Sequence, residues 1–187
     1  MSKFGKELAK NLIKRLPQSS SYEWSRRVEG ALVRSEGMAA HGHVVIIIDC
    51  EIGEEAAKPI LGEISRFAKS NEYFRQSKYR IFLWQNDALS LLTPMQVSAI
   101  RLERHFEKIT AYNVVSGNWD NFKEIYTPQK KAGQAILITT AYKVAQLETM
   151  HTVRAKNLLI VYPASDEGKK SRVVAGISCI AYNNATN

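Results

Sequence analysis

The apolar positions of this chain first follow a helical rhythm. Phe4, Leu8, Leu12, Ile13 and Leu16 recur at spacings of four or one, with Lys3, Lys6, Lys10, Lys14 and Arg15 over much of the remaining surface. This predicts a basic amphipathic helix that Pro17 closes, since proline cannot continue a helix interior. Gln18–Ser21 is a polar break, and Tyr22–Arg27 is a loop-like box of aromatics and arginines. The pattern then changes. Val44–Ile48 is unbroken, apolar and β-branched, which predicts a strand buried on both faces at the centre of a parallel sheet. It stops at Asp49, Glu51 and Gly53. Ligands of open α/β sheets sit at such carboxyl ends, so Asp49 is the first candidate for chemistry.

Downstream, helix and strand patterns alternate. Ile60, Leu61, Ile64, Phe67 and Ala68 have helical spacing behind Glu54 and Glu55, where carboxylates suit the helix dipole. Pro59 must lie in the first turns or kink that helix. Tyr79–Trp84 is the second strand, ending at Gln85-Asn86-Asp87. Thr93-Pro94-Met95-Gln96 has the form of a helix start, with Ala99, Leu102 and Phe106 as the buried face. Ile109–Val115 is expected as a third strand, residues 116–120 as a loop, and Phe122 and Tyr126 lie on a short helix. Ala135–Thr140 and Leu158–Tyr162 are further strands around a helix over Val144–Val153, and Arg172–Tyr182 is expected as one long final strand. Strands alternating with helices at this spacing make a three-layer α/β domain with a mostly parallel sheet. The expected division is 1–21 for the basic helix and linker and 22–187 for the α/β domain.

Composition narrows the classes. No apolar run approaches the roughly 20 residues needed to span a bilayer, and the basic amino terminus lacks the apolar core of a secretory signal. A cytoplasmic protein is expected. Cys50 and Cys179 both fall in apolar segments, which suits buried free thiols in a reducing compartment. His41, His43, His105 and His151 show no metal-ligand spacing with them. The net charge is +8. Residues 1–35 hold eight Lys or Arg against three Asp or Glu, a net of +5. That asymmetry points Lys3, Lys6, Lys10, Lys14, Arg15, Arg26 and Arg27 toward nucleic acid or another anionic surface. Lys130-Lys131 and Lys169-Lys170 are smaller basic clusters.

Four places give the element order a family likeness. Arg26-Arg27 precedes the first strand. That strand ends Asp49-Cys50-Glu51-Ile52-Gly53, where an Asp-x-Ser-x-Ser motif would stand. Gly117-Asn118-Trp119-Asp120-Asn121-Phe122 opens a helix, and Ile138-Thr139-Thr140-Ala141 ends a later strand where Thr-Asp-Gly would stand. In these respects residues 22–165 resemble the von Willebrand factor A (VWA) fold, most closely the VWA-like domain of bacterial and phage proteins classed as metallopeptidases. The resemblance implies a three-layer Rossmann-like α/β fold, with helices flanking a mostly parallel central sheet. It also implies a metal-ion-dependent adhesion site, in which hydroxyls and carboxylates of three loops surround Mg²⁺ in an octahedral oxygen shell.

The family's positions are largely replaced. Asp49 is kept, but the two serines are Glu51 and Gly53, the threonine is Trp119 and the third-loop aspartate is Thr140. A degenerate site follows, for which Mg²⁺ or Mn²⁺ at Asp49, Glu51 and Asp120 is the metal to consider; no cofactor is expected to be required. No His-Glu-x-x-His occurs, so peptidase chemistry is unsupported. The leading expectation is a non-enzymatic protein–protein interaction module. Its face would be the loops 49–54, 85–93, 116–122 and 139–143, with Trp119, Asp87 and Thr140 touching the partner. The resemblance implies an AAA-type ATPase as that partner, and a phage or mobile-element accessory role. Two alternatives follow from charge and carboxylates. One is a basic nucleic-acid-binding accessory protein. The other is a PIN- or NYN-like nuclease using Asp49, Glu51, Asp87 and Asp120, although Thr139-Thr140 stands where such enzymes need an acid.

Overall fold

The apolar run at Val44–Ile48 becomes the middle of the sheet because nothing along it tolerates water: each of its residues is at most 2% exposed. The computed structural model describes Trp24 and residues 26–28, 42–93, 95–126, 134–150, 157–164 and 172–183. The expected amino-terminal helix, with Lys3, Lys6, Lys10, Lys14 and Arg15, lies outside the described residues, as do Lys130-Lys131 and Lys169-Lys170. In chain order the elements are β1 (His43–Asp49), α1 (Glu54–Ser70), α2 (Glu72–Gln76), β2 (Lys78–Gln85), β3 (Ala88–Leu91) and β4 (Val97–Ser98). A 3₁₀ turn (Ala99–Arg101) runs into α3 (Leu102–Phe106), followed by α4 (Trp119–Tyr126), β5 (Gln134–Ile138) and α5 (Ala141–Thr149). The chain ends in β6 (Leu158–Pro163), β7 (Arg172–Val174) and β8 (Ile177–Tyr182).

The sheet order is β3-β2-β1-β5-β6-β8-β7, with β4 also on β2. The run β2-β1-β5-β6-β8 is parallel throughout, while β3 and β4 lie antiparallel on β2 and β7 antiparallel on β8. The fold is therefore α/β and Rossmann-like, with a mixed, mostly parallel sheet between helical layers. The chain winds from β1 out to β2, then returns to the other side of β1 at β5. That reversal opens a crevice at the carboxyl ends of β1 and β5, where open α/β sheets place their ligands.

Alternation along the strands divides the core in two, because successive side chains point to opposite faces. Val44, Ile46, Ile48, Ile81, Ile136 and Val161 pack with the buried faces of α1, α2 and α3 and with Trp24 and Val28. Val45, Ile47, Trp84, Leu137, Ile160 and Tyr162 pack with α4 and α5. Asp49 continues the parity of Val45 and Ile47, and Thr139 that of Ala135 and Leu137. Both polar residues thus fall on the α4/α5 side, one step beyond the apolar core.

Some local expectations are corrected. Ile109–Val115 forms no strand. Its backbone serves other partners: the Val114 N–H donates to the Cys50 carbonyl at 2.8 Å and the Val115 carbonyl accepts from the Asn86 N–H at 2.8 Å. Thr93–Gln96 starts no helix; the Thr93 hydroxyl donates to the Met95 carbonyl at 3.0 Å, and helical backbone begins at Ala99. Pro59 falls, as expected, in the opening turns of α1, where it removes the bond that the exposed Glu55 carbonyl would accept. The expected long last strand breaks at Ala175-Gly176, both at positive φ (50° and 80°), which turns β7 back onto β8. Among the described residues no helix is long and apolar enough to cross a membrane.

Ala175 carries a Cβ in a left-handed conformation that only glycine and a few polar residues adopt without cost. Ala175→Gly is expected to stabilise the protein by about 0.5–1 kcal/mol, net of the extra freedom glycine brings to the unfolded chain. Thermal melting should show a rise of about 2 °C; a fall would mean the turn does not bear that strain.

Candidate functional site

Four loops meet at the crevice, and backbone bonds pin them before any side chain is considered. The Cys50 N–H donates to the Trp84 carbonyl at 3.0 Å, joining the end of β1 to β2. The Asn86 and Asp87 N–H groups, in the positive-φ turn between β2 and β3, donate to the Val115 and Ser116 carbonyls at 2.8 and 2.9 Å. Gly117 follows at φ 122°, and a Cβ there would lie 3.2 Å from the Asp87 Cα, so both conformation and space demand glycine. Across the switch point, Thr140 caps α5 by accepting the Lys143 N–H at 3.2 Å.

These loops bring together Asp49, Glu51, Ser116, Thr139 and Lys143. Asp49, Ser116 and Thr139 are fully buried, and Lys143 is 4% exposed. The Thr139 hydroxyl donates to Asp49 Oδ2, and the Glu51 N–H donates to Asp49 Oδ1 at 2.9 Å. Ser116 Oγ donates to Glu51 Oε2 at 2.9 Å, the same oxygen that lies 2.9 Å from Lys143 Nζ. Lys143 Nζ also donates to the Gly117 carbonyl and stands 4.5 Å from the centre of the Trp84 ring. The indole face holds a partial negative charge, so the contact is attractive.

The electrostatics follow from burial. Loss of water around Asp49 raises its carboxyl above the ordinary value of 3.8, against the opposing pull of Thr139, the Glu51 amide, Ser116 and the Lys143 charge. Desolvation also pushes Glu51 up, but the Lys143 and Ser116 bonds together outweigh it and hold this half-exposed carboxyl below its ordinary value. Burial raises the Cys50 thiol to about 11, with Asp49 adding to the effect, and the Cys179 thiol to about 12. Both cysteines are free and buried, as expected, and neither is an activated nucleophile.

The sequence-expected residues separate. Asp49 and Glu51 are at the centre. Trp119 is not a surface anchor: it is 1% exposed, its Nε1–H donates to the Lys143 carbonyl at 2.8 Å, and its ring packs against Trp84 and Phe122. The physical reason is that α4 starts at Trp119 and turns this position toward the sheet. Thr140 spends its hydroxyl oxygen on the helix cap. Asp87 is exposed and accepts from Asn121 Nδ2 at 2.8 Å. Asp120 is exposed in the first turn of α4. Arg26 and Arg27 are exposed on a helical stretch flanked by buried Trp24 and Val28. Sequence reasoning passed over Ser116, Thr139 as a partner of Asp49, and Lys143. A signal existed for the last: Lys143 adjoins Val144 on the apolar side of its helix.

The metal implied by the VWA-like resemblance does not fit this donor set. Both Asp49 oxygens are engaged, Glu51 Oε2 is shared by a hydroxyl and an ammonium, and Trp119 supplies no oxygen. Among the described residues no three His, Cys, Asp or Glu side chains are grouped to hold a metal ion. The set Asp49, Glu51 and Asp120 is therefore not assembled, nor is the four-carboxylate nuclease cluster.

Because the native carboxyl of Asp49 binds its proton more tightly than the unfolded one, its contribution to folding is favourable at low pH and is lost as pH rises from about 3.8 through the raised native value. Asp49→Asn keeps the shape and removes the buried charge. It is expected to raise the melting temperature at about pH 8 by about 2–4 °C, equivalent to about 1 kcal/mol. That advantage should shrink to nothing as the pH approaches 3.8. A variant that melts lower than wild type at pH 8 would show that the ionised carboxylate is a net asset.

No protein-family model matches the chain, and no curated protein matches it.

Proposed function

We propose that this chain is a non-enzymatic protein–protein interaction module of VWA-like fold, with its metal site largely lost. The observation that supports the reading is the contrast between the crevice and its rim. Inside, Asp49, Ser116, Thr139 and Lys143 are buried, and the half-exposed Glu51 carboxylate is bonded to Ser116 and Lys143. Outside, Val115 and Tyr142, each one residue before a crevice residue, are 69% and 68% exposed. Large apolar side chains held that open on rigid backbone are what a partner surface uses, since buried aromatic anchors dominate interface energetics. Asp87 and Asp120 are the exposed acids of the same loops, which suits a partner with an apolar contact ringed by basic groups. The VWA-like resemblance adds an AAA-type ATPase in the cytoplasm as the partner to try first, with a phage or mobile-element accessory role.

A photo-crosslinking residue placed at Val115 or Tyr142 is expected to capture the same protein from a lysate of the source organism. Placed at Val173, exposed on the far edge strand, it should capture none. Val115→Asp should weaken the Tyr142 adduct about tenfold, the effect of losing about 1.4 kcal/mol of contact. Equal adducts at all three positions, or none at either crevice position, would defeat the reading. Mn²⁺-dependent nucleic-acid cleavage lost in Asp49→Asn would replace it with the nuclease.

A second reading, nucleic-acid binding through the basic amino-terminal region, is supported by the exposure of Arg26 and Arg27 within residues 1–35, whose net charge is +5. It predicts affinity for DNA or RNA that falls steeply with salt and weakens in Arg26→Ala/Arg27→Ala. Retention on a DNA column that is the same at low and high salt would eliminate it.

A further inference from the structure

Lys143 is placed more tightly than a solvated lysine needs to be. Its N–H bonds the Thr140 cap and its carbonyl takes the Trp119 indole N–H at 2.8 Å, so the backbone is held on both sides. Its side chain then crosses the Trp84 face and delivers Nζ to Glu51 Oε2 and the Gly117 carbonyl. An ammonium has three N–H donors. A carboxylate and a carbonyl take two, and the aromatic face supplies the remaining contact. The cation is satisfied without any solvent or added ligand.

We propose that the Lys143 ammonium is a resident cation, standing where the VWA-like resemblance implies a divalent metal, so that this chain assembles its crevice with no metal at all. The ion's task in such a crevice is to neutralise clustered carboxylates and tie together the loops that carry them. Lys143 does both. It pairs with Glu51 from the β1 loop, lies near Asp49, and holds the 116–118 loop through Gly117 while rooted in α5. A divalent ion such as Mg²⁺ would need a near-octahedral oxygen shell at about 2.0–2.1 Å. Here it would also have to expel a buried ammonium from its carboxylate. The replacement further removes the open coordination position through which a bound metal reaches a ligand. Contacts with any partner then fall to the rim, and they are independent of divalent ions.

The test uses the full chain and reads thermal melting, with EDTA and with Mg²⁺ or Mn²⁺ at about 5 mM, a concentration that would visibly stabilise a native site of millimolar affinity or better. Wild type is expected to melt at one temperature in all three conditions. Metal stabilisation of wild type that disappears in Asp49→Asn overturns the proposal. Lys143→Met keeps the apolar stem and removes the charge, and it should lower the melting temperature by about 3 °C or more at about pH 8, as expected when Glu51 and the Gly117 carbonyl lose the ammonium that joins them. Glu51→Gln in that background should recover at least half of the loss, because it removes the charge left behind. A Lys143→Met protein within about 1 °C of wild type overturns the proposal, as does failure of Glu51→Gln to restore stability. If Lys143→Met does not fold, the double variant is still expected to fold; a double variant that also fails overturns it.

Discussion

A carboxyl group at the carboxyl end of a fully buried central strand is the constraint on which this structure turns. Asp49 has no exposure to water, and an unpaired buried charge would cost far more than a domain of this size can tolerate. Everything next to it supplies compensation: a threonine hydroxyl, a backbone amide, a serine, and at slightly longer range an ammonium. The compensation is incomplete, since the carboxyl still titrates above its ordinary range. Three loops distant in sequence must hold fixed positions for even that much to be achieved. The polar network and the loop conformations are thus one problem with one solution.

The topology makes that solution available. With β5 beside β1, Thr139 follows the strand that is in register with the strand carrying Asp49, Ile138 pairing with Ile48. Parallel strands in register end together, so side chains one step past their last pairs meet on the same face. The short α5 begins at once and brings Lys143 over that point from its first turn. Lys143 reaches the cluster because Trp84 and Trp119 build a floor beneath it. An aromatic floor suits an ammonium, giving both apolar contact for the stem and a quadrupole for the head.

Legibility in the sequence followed the physics of each element. β1 stood out because burial on both faces leaves an unbroken apolar run, and β2, β5 and β6 for similar reasons. The alternation of strands and helices was enough for the fold class. Ile109–Val115 misled because an extended segment that packs against a sheet end has the same apolar content as a strand; only its hydrogen bonds, made to Cys50 and Asn86, distinguish it. Trp119 misled through its position at a loop-to-helix junction, where one step of helical rotation separates solvent from core. The site was half legible. Asp49 announces itself by interrupting an apolar run, whereas Thr139 and Ser116 are ordinary hydroxyl residues until long-range pairing brings them within reach. Lys143 was the hardest, because a lysine in a helix is normally solvated, and only the neighbouring aromatic floor turns it inward.

The buried network also bears on the rim. Val115 immediately precedes Ser116, and its carbonyl is tied to the Asn86 amide. Tyr142 immediately precedes Lys143, inside a capped first turn. Neither exposed side chain is on a free loop tip; each is carried by backbone that the polar cluster holds in place. A surface whose anchors are fixed before contact loses little conformational freedom on binding, and that saving appears directly as affinity. Under the proposed interaction role, buried groups that touch no partner would still act on recognition, by fixing the backbone that carries these two apolar side chains. The carboxylate that costs stability is thereby tied to the loop geometry: Asp49 holds the Glu51 amide and the Thr139 hydroxyl, Glu51 pairs with Lys143, and Lys143 joins the 116–118 loop to α5.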